Sequence, residues 1–239
     1  MQHSGPIPRT IIVMGRTDKT RNSGDIHRIL LMLEAKGFHL HWFVSDYARS
    51  YEDIGARIVA RWPWLCWRSS DSKPRRLLRM LLRVAFVAVD AHRYDHLYTA
   101  LHGQPANDAR QLRRLLDAMS DHSACLVTHS AGGISATQIA DHRGIERIVC
   151  FGYPFRHPHR QPQAYRTTHL HAVNKPLLII QGDADDYGCD PSDFGRHLPV
   201  SAQVVSLACD HDCDNLRATE FDRAWAAVSD FLEKPFGKS

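Results

Sequence analysis

The chain has 239 residues, 44% of them hydrophobic, which suits one α/β domain with a sizeable buried core. It holds no apolar run long enough to span a bilayer and no basic patch leading into an apolar stretch at residues 1–8, so neither a transmembrane helix nor a signal peptide is expected. The formal net charge of +4 hides an asymmetry: residues 57–114 carry twelve Arg/Lys against four Asp/Glu, and residues 183–239 carry five against twelve. Nucleic-acid binding by the basic stretch would rest on charge alone and is not expected. A solvated face is the plainer reading, and a weak contact with an anionic membrane surface is the more specific one.

In chain order, residues 10–14 form a short β-branched run between Pro8 and Gly15, and read as a buried strand. After a polar loop, Asp25 caps a helix that runs to about Lys36, with Gly37 as its stop. Residues 38–44 read as a second strand, and residues 104–120 as an amphipathic helix with Leu112, Leu115, Leu116 and Met119 on one face. Strands follow at 124–128, 147–151, 176–181 and 202–207, with helices at 132–142 and 216–232. Strands alternating with helices predict a doubly wound, mainly parallel sheet of about six strands in a single domain over 1–239.

Residues 47–103 do not fit that alternation. The stretch carries its own helical signals, with Leu77, Leu78, Met80, Leu81 and Leu82 interleaved with Arg75, Arg76, Arg79 and Arg83, and Trp62, Trp64 and Trp67 upstream. An insert leaving the sheet after its second strand emerges at the carboxyl ends of the strands, where open α/β sheets bind ligands. The expectation is a helical cap. A packing element, a lipid contact and a homodimer contact are the alternatives.

Thr128-His129-Ser130-Ala131-Gly132 reads as a buried strand ending in a sharp turn, with a serine at the apex and glycines opening a helix. This is the layout of a nucleophile elbow, G-x-S-x-G, with Thr128 in place of the first glycine. A serine hydroxyl needs a base, and the base needs an orienting group. Asp183, Asp185 and Asp186 follow one apolar strand and His211 follows the last, so an acid and a base arise in order at strand ends. Asp185 is the chosen acid, because it has room to turn back after Gly182; Asp183 is the runner-up, and a turn aspartate is the bland reading of any one of them. The Cys209, His211, Cys213 spacing is not a common zinc pattern, so no metal is expected. The six cysteines show no disulfide framework, and a reducing cytoplasm is the expected setting.

Phe151-Gly152-Tyr153-Pro154-Phe155, the segment Arg166-Thr167-Thr168-His169-Leu170, and Pro176-Leu177-Leu178-Ile179-Ile180-Gln181-Gly182 followed by Asp185 and Tyr187-Gly188 resemble a small dienelactone-hydrolase-like branch of the α/β-hydrolases. The likeness covers residues 120–235 well and 10–45 loosely, and it does not reach 47–103. It implies the α/β-hydrolase fold, the chain order serine, acid, histidine, an acid at Asp185 and a base at His211, with no agreed substrate.

On that resemblance the chain is expected to be a serine hydrolase that cleaves an ester or thioester of a small acyl substrate without a cofactor, through Ser130, His211 and Asp185. The backbone N–H groups of Ala131 and Arg16 would form the oxyanion hole. Gly15, His129, Tyr153, Trp62 and Trp64 would contact substrate. Two departures, Thr128 in the elbow and Met14-Gly15 where many hydrolases have His-Gly, motivate the alternative: the fold used for binding without turnover.

Overall fold

The computed structural model describes residues 10–15, 24–67, 72–119, 123–189 and 194–234. The elements are β1 (Thr10–Met14), α1 (Gly24–Ala35), β2 (His39–Trp42), α2 (Asp46–Arg61), α3 (Lys73–Ala88), α4 (Arg93–His102), α5 (Gln104–Ala118), β3 (Ala124–His129), α6 (Ala131–Gln138), β4 (Ile145–Phe151), β5 (Leu177–Gly182), β6 (Gln203–Leu207) and α7 (Ala218–Glu233). They divide into two compact units: Val44–Gln111, and the chain on either side of it.

The flanking unit is built on a six-stranded, wholly parallel sheet in the order β2-β1-β3-β4-β5-β6. The sequence explains this order. β3 and β5 are apolar runs buried at every position, as strands covered on both faces must be. β2, with its alternating His-Leu-His-Trp, is only half-buried and forms an edge. Ile11, Val13, Cys125, Val127, Val149, Phe151, Leu178 and Ile180 point to one face, where they pack with Ile26, Ile29, Leu30 and Leu33 of α1 and Ala224, Val228, Phe231 and Leu232 of α7. Each fully buried aliphatic side chain there stabilises the fold by about 2 kcal/mol. On the other face α6 lies so close that a Cβ on Gly133 would sit 3.2 Å from Cys150 Sγ.

The chain leaves β1 toward β2 on one side and enters β3 on the other. This reversal opens a crevice at the carboxyl ends of β1 and β3, the usual ligand position in doubly wound sheets. Two local expectations change. Asp25 lies within α1, not at its cap; its carboxylate accepts from Leu216 N at 2.6 Å and from Arg28 Nη1 at 3.0 Å, tying α1 to the approach of α7. Helix α6 ends at Gln138, short of 142, because Ile139 leaves the helical region at φ −116° and turns its N–H back to Ala136.

The Val44–Gln111 unit is helical. Ser45 caps α2 by accepting from Ala48 N at 3.3 Å. Ile54, Ile58 and Leu65 form its small core, with Trp62, Leu82, Phe86 and Val87 packed around them. Arg79 Nη1 donates to Leu65 O at 3.2 Å, and the Arg83 guanidinium lies 3.8 Å from the centre of the Tyr51 ring. Among the described residues no helix is long and apolar enough to cross a membrane.

Candidate active site

Ser130 sits between the last residue of β3 and the first of α6 with φ +52° and ψ −124°. A side chain at positive φ is strained, and such strain persists only where the surroundings enforce it. Here the Ser130 N–H donates to Phe151 O at 3.0 Å, and Ser130 O accepts from Gly133 N at 2.9 Å. Thr128 does not disturb the turn. Its side chain is buried within the sheet layer, where its hydroxyl donates to Val149 O at 3.2 Å. The glycine that matters is Gly132: a Cβ there would meet Met14 O at 2.9 Å and the Gly15 backbone at 3.0 Å. The bare backbone lets the start of the post-β1 loop approach the N-terminus of α6.

His211 follows β6, and its ring bridges two partners. Nε2 lies 2.8 Å from Ser130 Oγ, and Nδ1 lies 2.8 Å from Asp185 Oδ2. In the neutral ring held by that carboxylate, Nδ1–H donates to Asp185 and Nε2 accepts the serine proton. Asp185 is fully buried and its charge is answered by donors: Tyr187 N to Oδ1 at 2.7 Å, and Gln181 Nε2 to Oδ2 at 2.6 Å beside the histidine. Asp183 and Asp186 are exposed and do not enter this chain of bonds. Gly152 makes room for the histidine loop; at φ +55° it avoids the strain of a side chain, and a Cβ would lie 2.5 Å from His211 O.

Two side chains without an assigned role in the sequence reading complete this arrangement. Gln181 is fully buried and also accepts from Tyr153 N at 2.9 Å and donates to Gly188 O at 2.7 Å, so it locks the acid loop to the end of β4. Its signal was a polar residue near the end of the otherwise apolar Leu177–Gly182 strand. Tyr187 stacks on the His211 ring with centroids 4.3 Å apart.

Other expected residues take different places. His129 is fully buried; its Nε2 donates to His211 O at 3.3 Å, so it holds the histidine loop from behind and offers no surface to a substrate. Tyr153 is also fully buried, with its hydroxyl donating to Arg166 O at 2.6 Å, and burial pushes its phenol well above the ordinary value. It is a packing residue whose polar tip is satisfied. Trp62 is partly buried against the small core of the helical unit, while Trp64 is exposed with the Arg75 guanidinium 5.9 Å from its ring centre.

Ala131 opens α6, where the N–H groups of a first helical turn lack intrahelical acceptors. Arg16, the second expected oxyanion donor, lies outside the described residues, as do the cationic residues Lys19 and Arg21 of the same loop; the described chain there ends at Gly15. The buried thiols Cys125 and Cys150 are each pushed up to about 12 by burial and are poor nucleophiles. Cys209 and Cys213 flank His211 with sulfurs 3.9 Å apart, their mutual hydrogen bond lowering the first and raising the second. Among the described residues they do not join His211 in a ligand cluster. The one such group is Asp46, His92 and Asp95 in the helical unit, where Asp95 is already paired with Arg110.

A family model described as alpha/beta hydrolase domain matches residues 84–231. No curated protein matches the chain. Among solved structures, the esterase domain of a Rhodothermus marinus protein superposes with a TM-score of 0.57 at 13% identity, covering 98% of this chain and 90% of that one. Alpha/beta hydrolase domain-containing protein 10 from mouse superposes with a TM-score of 0.53 at 11% identity, covering 94% and 89%. An alpha/beta serine hydrolase without lid from Xanthomonas campestris superposes with a TM-score of 0.50 at 12% identity, covering 100% and 88%.

Proposed function

The chain belongs to the α/β-hydrolase family, and from that premise we propose that it is a serine hydrolase acting on an ester or thioester through an acyl-enzyme. The observation that carries this reading is the unbroken chain of hydrogen bonds from Ser130 Oγ through both nitrogens of His211 to Asp185. Ser130 Oγ attacks the substrate carbonyl carbon as its proton passes to His211 Nε2. The buried Asp185 carboxylate stabilises the imidazolium and fixes the ring in the tautomer that leaves Nε2 free to accept. The tetrahedral oxyanion is held by the N–H of Ala131 at the start of α6. Collapse breaks the bond to the alcohol or thiol, which leaves with the proton from His211. Water then attacks the acyl-enzyme by the same route and restores Ser130.

The competing reading, binding without turnover, would be favoured by a histidine beyond reach of the serine, and a separation of 2.8 Å supports turnover instead. Labelling with a fluorophosphonate and mapping the adduct by mass spectrometry tests the proposal. A single adduct at Ser130, lost in His211→Ala, is expected; folded protein that takes up no label at Ser130 would overturn it.

A further inference from the structure

The helical unit contains an unusual amphipathic helix. Helix α3 carries Lys73, Arg75, Arg76, Arg79 and Arg83 and no acidic residue, and none of its sixteen residues is buried. Its two sides are used in an unexpected sense. Leu82, Phe86 and Val87 lean on the Ile54, Ile58 and Leu65 cluster, and Arg79 and Arg83 turn toward the same unit, onto Leu65 O and the Tyr51 ring. The residues at the i, i+4, i+7 spacing of the other face, Leu77, Leu81 and Val84, are exposed at 53%, 55% and 61%. Met80 lies beside them at 55%. The next helix repeats the arrangement: Tyr94, Leu97 and Leu101 of α4 form an exposed ridge at i, i+3, i+7, and Val89 between the helices is exposed as well.

Rows of exposed apolar side chains on two successive helices mark a surface that meets something. We propose that the Leu77/Leu81/Val84 face of α3, rimmed by Lys73 and Arg76, docks on an anionic lipid surface. The chemistry of this face favours that occupant over others. An interfacial helix buries its apolar face at the acyl boundary and sets cationic side chains among the headgroups, and α3 supplies both with no carboxylate to be repelled. A second copy meeting this face through its own α3 would bring no carboxylate from that helix to answer the cations. Spanning is excluded for the described helices, so the contact is peripheral.

Co-sedimentation of the full chain with vesicles tests this. The protein is expected to pellet with vesicles of phosphatidylcholine and phosphatidylserine in equal parts, to pellet several-fold less with phosphatidylcholine alone, and to be released by added potassium chloride. The triple variant Leu77→Ser, Leu81→Ser, Val84→Ser should lose most of the anionic-vesicle binding with its circular dichroism unchanged. Should that variant misfold, Lys73→Gln with Arg76→Gln, which alters only the rim, should still cut binding to anionic vesicles. Equal pelleting with and without lipid would overturn the proposal. So would a concentration-dependent dimer, seen by analytical ultracentrifugation, that the triple variant abolishes; that outcome would assign the face to a second copy.

Discussion

In β5 all six residues are buried, whereas in α3 none of sixteen is. The sheet unit is organised from the inside: apolar strands fix the layer, and the layer delivers Ser130, Asp185 and His211 to one end of it. The helical unit has only a small core of its own around Ile54, Ile58 and Leu65, and places much of its apolar surface outside. The difference teaches that a tightly packed scaffold and exposed apolar surface have been separated along the chain. A strained serine and a buried carboxylate require a scaffold that does not yield, because each is tolerable only when its neighbours hold it. A surface that meets a partner needs no such scaffold.

The largest test of that contrast is Ser130→Ala. Hydrolysis of p-nitrophenyl acyl esters is expected to fall by about a thousand-fold or more, since removing the proposed nucleophile leaves only binding and oxyanion contributions. Retained turnover would move the chemistry away from the sheet. Next in size is Gln181→Leu. It keeps the Asp185 and His211 side chains but removes the Gln181 bonds to Oδ2, Tyr153 N and Gly188 O that hold the acid loop, so kcat should fall by about ten- to a hundred-fold with KM little changed, as when supporting hydrogen bonds are lost. An unchanged kcat would show that Tyr187 N and His211 suffice to fix the acid.

A pair of glycines sharpens the comparison in stability. Gly132→Ala pushes a methyl into the Met14 and Gly15 backbone, which cannot give way, and should destabilise by about 2 kcal/mol in urea unfolding. Gly55→Ala in α2 meets only the end of the flexible Arg83 side chain at 3.2 Å and should be neutral or stabilising by up to about 1 kcal/mol through helix propensity. Equal costs at the two sites would erase the distinction between a sheet that is tightly fitted and helices that are not.

The same distinction explains what was legible in the sequence. The strands are legible because β-branched apolar runs between glycines and prolines have few other uses, and so is the meeting of Ser130, His211 and Asp185, because each lies just past such a run. Side chains whose work depends on distant partners were misread. His129 and Tyr153 border the serine turn and carry polar tips, so they looked like substrate contacts; each spends its tip on backbone, at His211 O and Arg166 O. Gln181 acts on a carboxylate four residues away, but only because the chain folds back at Gly182. In α3 the leucine and arginine rows share one helical period, so spacing alone does not say which row faces in. The Leu65 carbonyl and the Tyr51 ring decide it by giving Arg79 and Arg83 inward partners.

A smaller effect than that at Gly132 concerns Asp108, within α5. Burial raises its carboxyl from 3.8 to about 6, against weaker lowering by hydrogen bonds from Ser45 and Gln104. The folded chain therefore binds this proton more tightly than the unfolded chain. That contribution to stability is complete below the unfolded value of 3.8 and is lost as pH rises through about 6, above which the half-buried carboxylate is ionised. Oδ1 of Asp108 is buried without a hydrogen-bond partner among the described residues, so the bonds from Ser45 and Gln104 offset only part of the charge. Asp108→Asn removes the charge and keeps the shape. It should stabilise the protein by roughly 1–2 kcal/mol near neutral pH, as expected for a shift of this size with part of the gain given up to the unpaired amide. In urea unfolding the advantage should shrink steadily as the pH is lowered and vanish below the unfolded value. An advantage of the same size at every pH would assign it to packing, and the helical unit would then hold no buried charge at this position for pH to act on.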